Sequence, residues 1–476
     1  MTMTRRARTT AALAALPLLA LAACTSGGED DATDPTSQGP GGETPSGEAP
    51  SGETPSGGSG SSAAGGVLTP DGQPDGQPQP VAVEDAGGLD AYLAANSDLA
   101  VEVASSVVGD PEADGGTIVV SPASLTTALA IMAAGSGGTT LSEIEDAIGG
   151  ETDSVLEAIQ ALRADLEDLD VDPEDIVLDP IPETGLVHMA NQVVLADGVQ
   201  PEQEWLDTIA YRLGAQAVST GSVEEMQDVL DSWVDLNTGG LIPESGIDAS
   251  TDPVLVVQDA VLVASAWLSS FAEDATTDDD FHLADGETVQ VPTMHDESPM
   301  TYIEVDGHRG VELDLAGGLA LQVVLPAEGS APVDITAEQW AEIGAQDSDA
   351  REAATVDLAL PRVDVETEFG LAGALESSGV VDLFGPAPDL SGMLAGSGYA
   401  VDQALQQARL QISEEGVVAA AVTEIAVTES AVQPPERVEE LTVDRPFAVR
   451  IVDTGTDWVL FHGLIDDPRP DEDGAE

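Results

Sequence analysis

Few residues of this chain could do chemistry, and the missing types narrow the choice. The 476 residues carry 89 acids against 13 bases, a formal charge of −76, and every base is an arginine. Without lysine there is no Walker-type phosphate loop and no amine for a Schiff base. Nucleic acid is not an expected partner, because neutralising phosphates requires a basic face. The charge reads as a heavily solvated surface. His188, His282, His295, His308 and His462 lack the His-Glu-x-x-His spacing of a metal-binding helix, so no metal or cofactor is expected. No Gly-x-Ser-x-Gly nucleophile elbow occurs. Gly135-Ser136-Gly137-Gly138 lacks the phosphate-loop lysine and reads as a helix end. Asp278-Asp279-Asp280 reads as a solvated turn rather than a calcium site. The chain is expected not to be an enzyme.

Two stretches remain. The first holds the single cysteine, Cys24, which excludes an intramolecular disulfide. Arg5, Arg6 and Arg8, then an apolar run from Ala11 to Ala20, form a secretory signal. The following Leu21-Ala22-Ala23-Cys24 resembles a bacterial lipobox, which implies cleavage before Cys24 and acylation of its sulfur. The mature protein is then expected on the outer face of the cytoplasmic membrane, held by lipid alone, or extracellular. The second stretch, Ser413 to Gln433, opens with Glu414, Glu415 and Gly416 and continues through Val417, Val418, Ala419, Ala420 and Ala421 without a charge until Glu424. Its alternate residues Val417, Ala419, Ala421, Thr423, Ile425 and Val427 suit one buried face of a strand.

The elements that must position this stretch follow from pattern. Residues 1–23 are the signal and 24–86 a Ser/Gly/Pro/Glu-rich tether that cannot bury enough apolar area to order itself. A folded domain is expected over 87–468, with an acidic tail at 469–476. Helices are expected near Leu89–Val103, from Pro122 with Ser121 as its cap, over Thr139–Ile148, Ser154–Leu169, Pro201–Leu213 and Val223–Leu236, and at Ala337–Ile343 and Leu371–Ser377. Strands are expected at Thr117–Val120, Leu186–Leu195 and Val254–Val263, the last as a run buried on both faces. Four hairpin strands follow at Val289–Met294, Met300–Val305, Val311–Leu315 and Leu319–Leu325. Further strands are Thr355–Val365, Ala404–Ile412, Val443–Val452 and Trp458–Ile465. The pattern is α+β, with no repeat of 20–50 residues.

Several local patterns then line up in order over about 380 residues, and together they resemble a serpin. Ser121-Pro-Ala-Ser124-Leu looks like the family's Ser-Pro-x-Ser-Ile helix start. Trp233-Val234, Thr238, Gly240 and Ile242 match its Trp-Val-x-x-x-Thr-x-Gly-x-Ile. Asp259 to Trp267, Val291-Pro292, Leu360-Pro361-Arg362 and Asp389-Leu390-Ser391-Gly392 fall where like sequences belong. Arg445-Pro446-Phe447 and Phe461-His462-Gly463 resemble the C-terminal signatures, with Ala448 in place of a larger apolar residue.

The resemblance implies a large central mixed sheet, two further sheets, eight to nine helices and an exposed reactive-centre loop. It implies inhibition of serine proteases by loop cleavage and insertion, with cysteine proteases as further targets, and a monomer. Residues Glu414 to Ala421 take the place of the hinge. Ser121, Ser124, Asp259 and Gln406, with Trp267, take the place of the cluster where the sheet opens. Val417 stands where inhibitory members prefer Thr or Ser, Val418 where they carry glutamate, and Asp259 and Gln406 where many have Asn and His. The family register counted from Glu414 puts the attacked bond at Ser430–Ala431, with Glu429–Ser430 and Thr428–Glu429 as alternatives. No arginine, lysine or aromatic residue lies between Gly416 and Pro434, which favours elastase-like or subtilisin-like proteases over trypsin-like ones. Acidic residues 154–172, with Arg163 their only base, argue against a heparin-like activator. The alternative is a non-inhibitory binding protein of the same fold.

Overall fold

The computed structural model describes residues 66–68, 81–109, 116–251, 253–345, 351–401, 403–417 and 437–470. Strand β1 (Gly66–Val67) precedes helix α1 (Leu89–Val108), whose Tyr92, Leu99 and Val103 face the core. Strand β2 (Ile118–Val120) leads into α2 (Pro122–Ala133). Ser121 starts that helix, its Oγ accepting from the Ser124 N–H at 3.3 Å, while Pro122 has no N–H to leave unpaired. Helices α3 (Gly138–Ala147) and α4 (Thr152–Asp165) follow, then β3 (Leu186–Leu195), α5 (Gln203–Leu213), β4 (Gln216–Ser219), α6 (Val223–Asn237) and β5 (Leu255–Ala266). The second half contains β6 (Thr277–His282), β7 (Thr288–Val305), β8 (His308–Leu315), β9 (Leu319–Leu325), α7 (Ala337–Gly344), β10 (Arg351–Pro361), β11 (Val363–Gly370) and α8 (Ala372–Ser377). It closes with β12 (Leu405–Ile412), β13 (Gly416–Val417), β14 (Val438–Thr442), β15 (Phe447–Asp453) and β16 (Trp458–Ile465).

The strands form two sheets. A seven-stranded sheet runs β1-β4-β3-β5-β13-β12-β11 and is mixed, since β3 lies parallel to β4 and antiparallel to β5. A nine-stranded sheet runs β14-β10-β7-β8-β9-β15-β16-β2, with β6 beside β7. The two smaller sheets expected beside the large one are continuous here, because the single long strand β7 passes through both. Every residue of β15 and β16 is buried, so these strands form the centre of the domain. No described helix is long and apolar enough to cross a membrane.

The sequence reading departs from the structure at identifiable places. The expected Val289–Met294 and Met300–Val305 are one strand: the acids and Pro299 between them lie opposite Thr355–Ala359 of β10 and do not break the ladder. The expected Thr355–Val365 is instead two strands in different sheets, divided at Arg362. Strand β6, with three aspartates, and β14 were not expected; both take their order from neighbouring strands rather than from apolar alternation. Strand β5 is not buried on both faces. Leu255, Val257, Asp259 and Val261 are half-buried, and among the described residues no strand pairs with them on the side away from β3.

Candidate functional site

Strands β5 and β12 bound the site. Among the described residues they are joined only through Gly416 and Val417 of β13. Gly416 pairs with Ala266, and Val417 pairs with Ser265 on one side and Ile412 on the other. Beyond Val417 the strands part around a cavity of about 280 Å³. Val257, Asp259 and Val261 line it from β5, Gln406, Ala408 and Leu410 from β12, and Leu125 and Leu129 from α2. The backbone edges of two strands, without a partner among the described residues beyond Val417, thus face each other across a largely apolar slot, and such edges are templates for a further strand.

Residues 413–417 are fixed at one end of this slot. The Trp267 indole N–H donates to the Ser413 carbonyl at 2.8 Å, and the Trp267 backbone N–H donates to Glu415 O at 3.0 Å. Phe271 N–H donates to Glu414 O at 3.1 Å, and its ring meets Trp267 edge-on at 6.0 Å. The Glu414 carboxylate is buried. Burial opposes its charge, but hydrogen bonds from Arg362 (Nε at 2.9 Å) and Thr276 outweigh that cost and hold its pKa below the ordinary value. At Gly416 a side chain is excluded, since a Cβ would stand 2.2 Å from the Ser265 carbonyl oxygen. Val417 is completely buried.

Opposite walls of the slot carry the polar groups. On the β12 side, Gln406 brackets Ser121: its Oε1 accepts from Ser121 N–H and its Nε2 donates to Ser121 O, both at 3.0 Å. Ser121 Oγ in turn donates to Leu460 O at 2.8 Å. On the β5 side, Asp259 Oδ2 accepts from Asn191 Nδ2. Asp259 Oδ1 is buried without a well-formed hydrogen bond. Burial pushes the Asp259 carboxyl up to about 7; the neighbouring Ser124 hydroxyl, the Arg163 charge and Asn191 pull it the other way without prevailing. Arg163 is spread over Asn191 Oδ1, Leu213 O and Met189 O at 2.6–2.8 Å. Ser121 with Gln406, and Asp259 with Ser124, therefore form two adjoining groups rather than one ring. Trp267 lies at the far end of β5, bonded to Ser413 and Glu415.

The chain emerging from residues 418–436 is fixed in the other sheet. Arg437 donates to Glu439 Oε1 at 2.7 Å, bonds Glu352 and Glu304, and stacks over Tyr302 with its guanidinium carbon 5.1 Å from the ring centroid. It stands at the start of β14, which pairs in parallel with β10. Val418, Ala419, Ala420, Ala421, Glu429, Ser430, Ala431 and Cys24 lie outside the described residues. Sequence reasoning gave no role to Arg163, Asn191, Arg362 or Arg437. Arg163 was visible as a lone base in an acidic stretch and Arg362 as part of Leu360-Pro361-Arg362; Arg362 meets Glu414, and Arg437 meets Glu352, Glu304 and Tyr302, across distances in sequence that leave no local pattern.

Comparison with known proteins adds four findings. The family model described as Serpin (serine protease inhibitor) matches residues 94–468. A protein named "Serine protease inhibitor" from Cyanea capillata is 29% identical over 386 residues, 79% of this chain and 98% of that protein. "Leukocyte elastase inhibitor" from Bos taurus is 29% identical over 398 residues, 80% of this chain and 100% of its own length. Among solved structures, native tengpin, a thermophilic serpin, superposes with a TM-score of 0.68 at 21% identity, covering 82% of this chain and 97% of that one.

Proposed function

Because this chain belongs to the serpin family of serine protease inhibitors, we propose that it traps an extracellular protease by loop cleavage and strand insertion. The observation that carries the reading is the register of Gly416 and Val417 between β5 and β12. Continued along both ladders, this register brings Ala419, Ala421, Thr423, Ile425 and Val427 to the inner face of the sheet, down to Val427 opposite Leu255. Thr423 comes between Asp259 and Gln406. All five are uncharged and small or apolar, while the charged Glu424 falls on the outer face with Val418, Ala420, Val422 and Ala426. In the proposed reaction the protease nucleophile attacks the carbonyl of Ser430, or of Glu429, and becomes acylated as the amine of the next residue leaves. The freed arm then enters the slot faster than water deacylates the enzyme. Ser430 suits a shallow primary pocket, and bovine leukocyte elastase inhibitor is a relative whose name specifies a target of that kind.

The test is a denaturing gel of the protein with elastase-like and subtilisin-like proteases. A covalent band resistant to SDS is the expected result; clean loop cleavage without it would favour the non-inhibitory binding role. Ala421→Arg should abolish the band and leave cleavage intact, since a guanidinium driven onto the inner face stalls insertion at a cost of several kcal/mol. A wild-type yield of complex from that variant would refute the insertion mechanism.

The same proposal covers location. The Cys24 lipobox makes the protein a lipid-anchored surface inhibitor, borne by lipid alone. Cys24→Ala should leave it unprocessed or released from membranes with the folded domain unchanged, and normal acyl labelling of that variant would count against the anchor.

A further inference from the structure

The outer mouth of the slot is covered. Helix α6 packs Met226 and Leu230 over β3 and β5, with Val194 and Val256 beneath, and its Val234 lines the cavity. The chain after it crosses from β5 to β12. Ser245 Oγ accepts from Gln258 of β5 at 3.3 Å. On the far side, Gln407 accepts from Gly246 N–H at 2.8 Å and donates to Glu244 O at 3.3 Å. Gln403 accepts from Asp248 N–H at 3.0 Å and donates to Asp248 O and Thr251 Oγ1. A strand entering between β5 and β12 runs beneath this strap.

At the C-terminal end of α6, where the strap begins, stands His188 of β3, 5% exposed. Both of its ring nitrogens meet acceptors: Nδ1 lies 2.7 Å from Asp170 Oδ1 and Nε2 lies 3.0 Å from Asn237 Oδ1. The Asn237 amide cannot be turned to relieve this, because its Nδ2 already donates to Trp233 O at 2.8 Å. Only the doubly protonated ring makes both bonds. Burial opposes the charge, but the bonds to Asp170 and Asn237 and the Asp170 carboxylate outweigh it and raise the pKa, with Arg163 of α4 in opposition. A cation here also complements the C-terminal end of α6.

We propose that the His188 imidazolium, acting through Asn237, is a positioning residue for strand insertion: it pins the end of α6 and the strap over the slot, and loss of its proton loosens that cover. The inference rests on the insertion reading above. When the proton leaves Nε2, that nitrogen's lone pair faces the Asn237 carbonyl oxygen and the bond becomes a repulsion. Because the folded pKa is raised, the pin is complete below the ordinary histidine value and is lost as pH rises through the folded one.

Asp259 titrates in an overlapping range, so the experiment uses the Asp259→Asn protein. Insertion after cleavage by a subtilisin-like protease is timed by intrinsic tryptophan fluorescence between pH 6 and 9. The expected rate rises several-fold with pH; His188→Gln removes the dependence, and Asp170→Asn moves its midpoint down. Hydrogen exchange at the last turn of α6, compared between the His188→Gln and parent proteins at one pH, should be faster in the variant below the midpoint. A pH profile indifferent to His188→Gln, or a rate that falls with pH, overturns the inference while leaving insertion standing. Cleaved protein that never gains thermal stability overturns both.

Discussion

Cleaved within residues 425–433, the protein should melt more than 10 °C above the intact chain. The slot offers edges of β5 below Ser265 and of β12 below Ile412 that have no partner among the described residues, and the freed arm supplies the strand to pair with both. Each inserted residue contributes roughly 1 kcal/mol of net hydrogen bonding, and the inner-face side chains add apolar burial. After the ordering cost is deducted, a gain on the order of 10 kcal/mol remains, comparable to the whole stability of an ordinary domain. For a domain of this size the unfolding entropy is about 0.8 kcal/mol per kelvin, which converts that gain to about 13 °C. Scanning calorimetry of intact and nicked protein decides the matter. Coincident melting curves would mean that the arm stays out, and the inhibitory role would fall with it.

The second large effect should come from Asp259→Asn. The native state holds the Asp259 carboxyl at about 7, against an ordinary value of 3.8. The folded protein therefore binds the proton more tightly than the unfolded chain, and stability drains away as pH rises from about 4 to about 7, with no further loss above. The full linkage is roughly 4 kcal/mol, an upper bound for a half-buried group. Asparagine keeps the acceptor that Asn191 uses and can donate towards Ser124, while Arg163 retains its carbonyl partners. At pH 8 the variant should gain up to about 5 °C in melting temperature, and near pH 4 it should match the parent. An equal gain at both values would point to repacking rather than to the charge.

Much of this fold is legible in sequence because it is locally encoded. Ser121-Pro122 starts α2, Leu186–Leu195 forms β3 with the expected limits, and the Val254–Val263 run lies in β5. Failures occur where order is imposed from outside. Asp278–Asp280 was read as a turn, yet these residues pair with Gln290–Pro292 of β7 and keep their carboxylates outward on an edge. The half-buried inner face of β5 has the same origin: a continuous apolar run cannot reveal that, among the described residues, only Gly416 and Val417 pair with its far side. At the site, the stretch that opens with Glu414, Glu415 and Gly416 stood out by composition. Arg362, which neutralises Glu414 from 52 positions away, and His188, whose partners lie on two other segments, became meaningful only in three dimensions.

The two moorings of residues 418–436, Val417 in one sheet and Arg437 in the other, also impose a limit of contour length. Filling the slot down to Leu255 uses the chain as far as Val427. That path runs about 33 Å away from its start at the rise of an extended strand. The ten steps that remain, from Val427 to Arg437, reach about 33–36 Å when fully stretched, little more than the return distance before any sideways travel to β14. An uncut chain cannot fill the slot completely while Arg437 stays clamped to its three glutamates. Under the proposed mechanism, stress in the intact protein is stored by a leash too short for its own lowest-energy arrangement, and the protease that cuts the leash releases the stress that traps it.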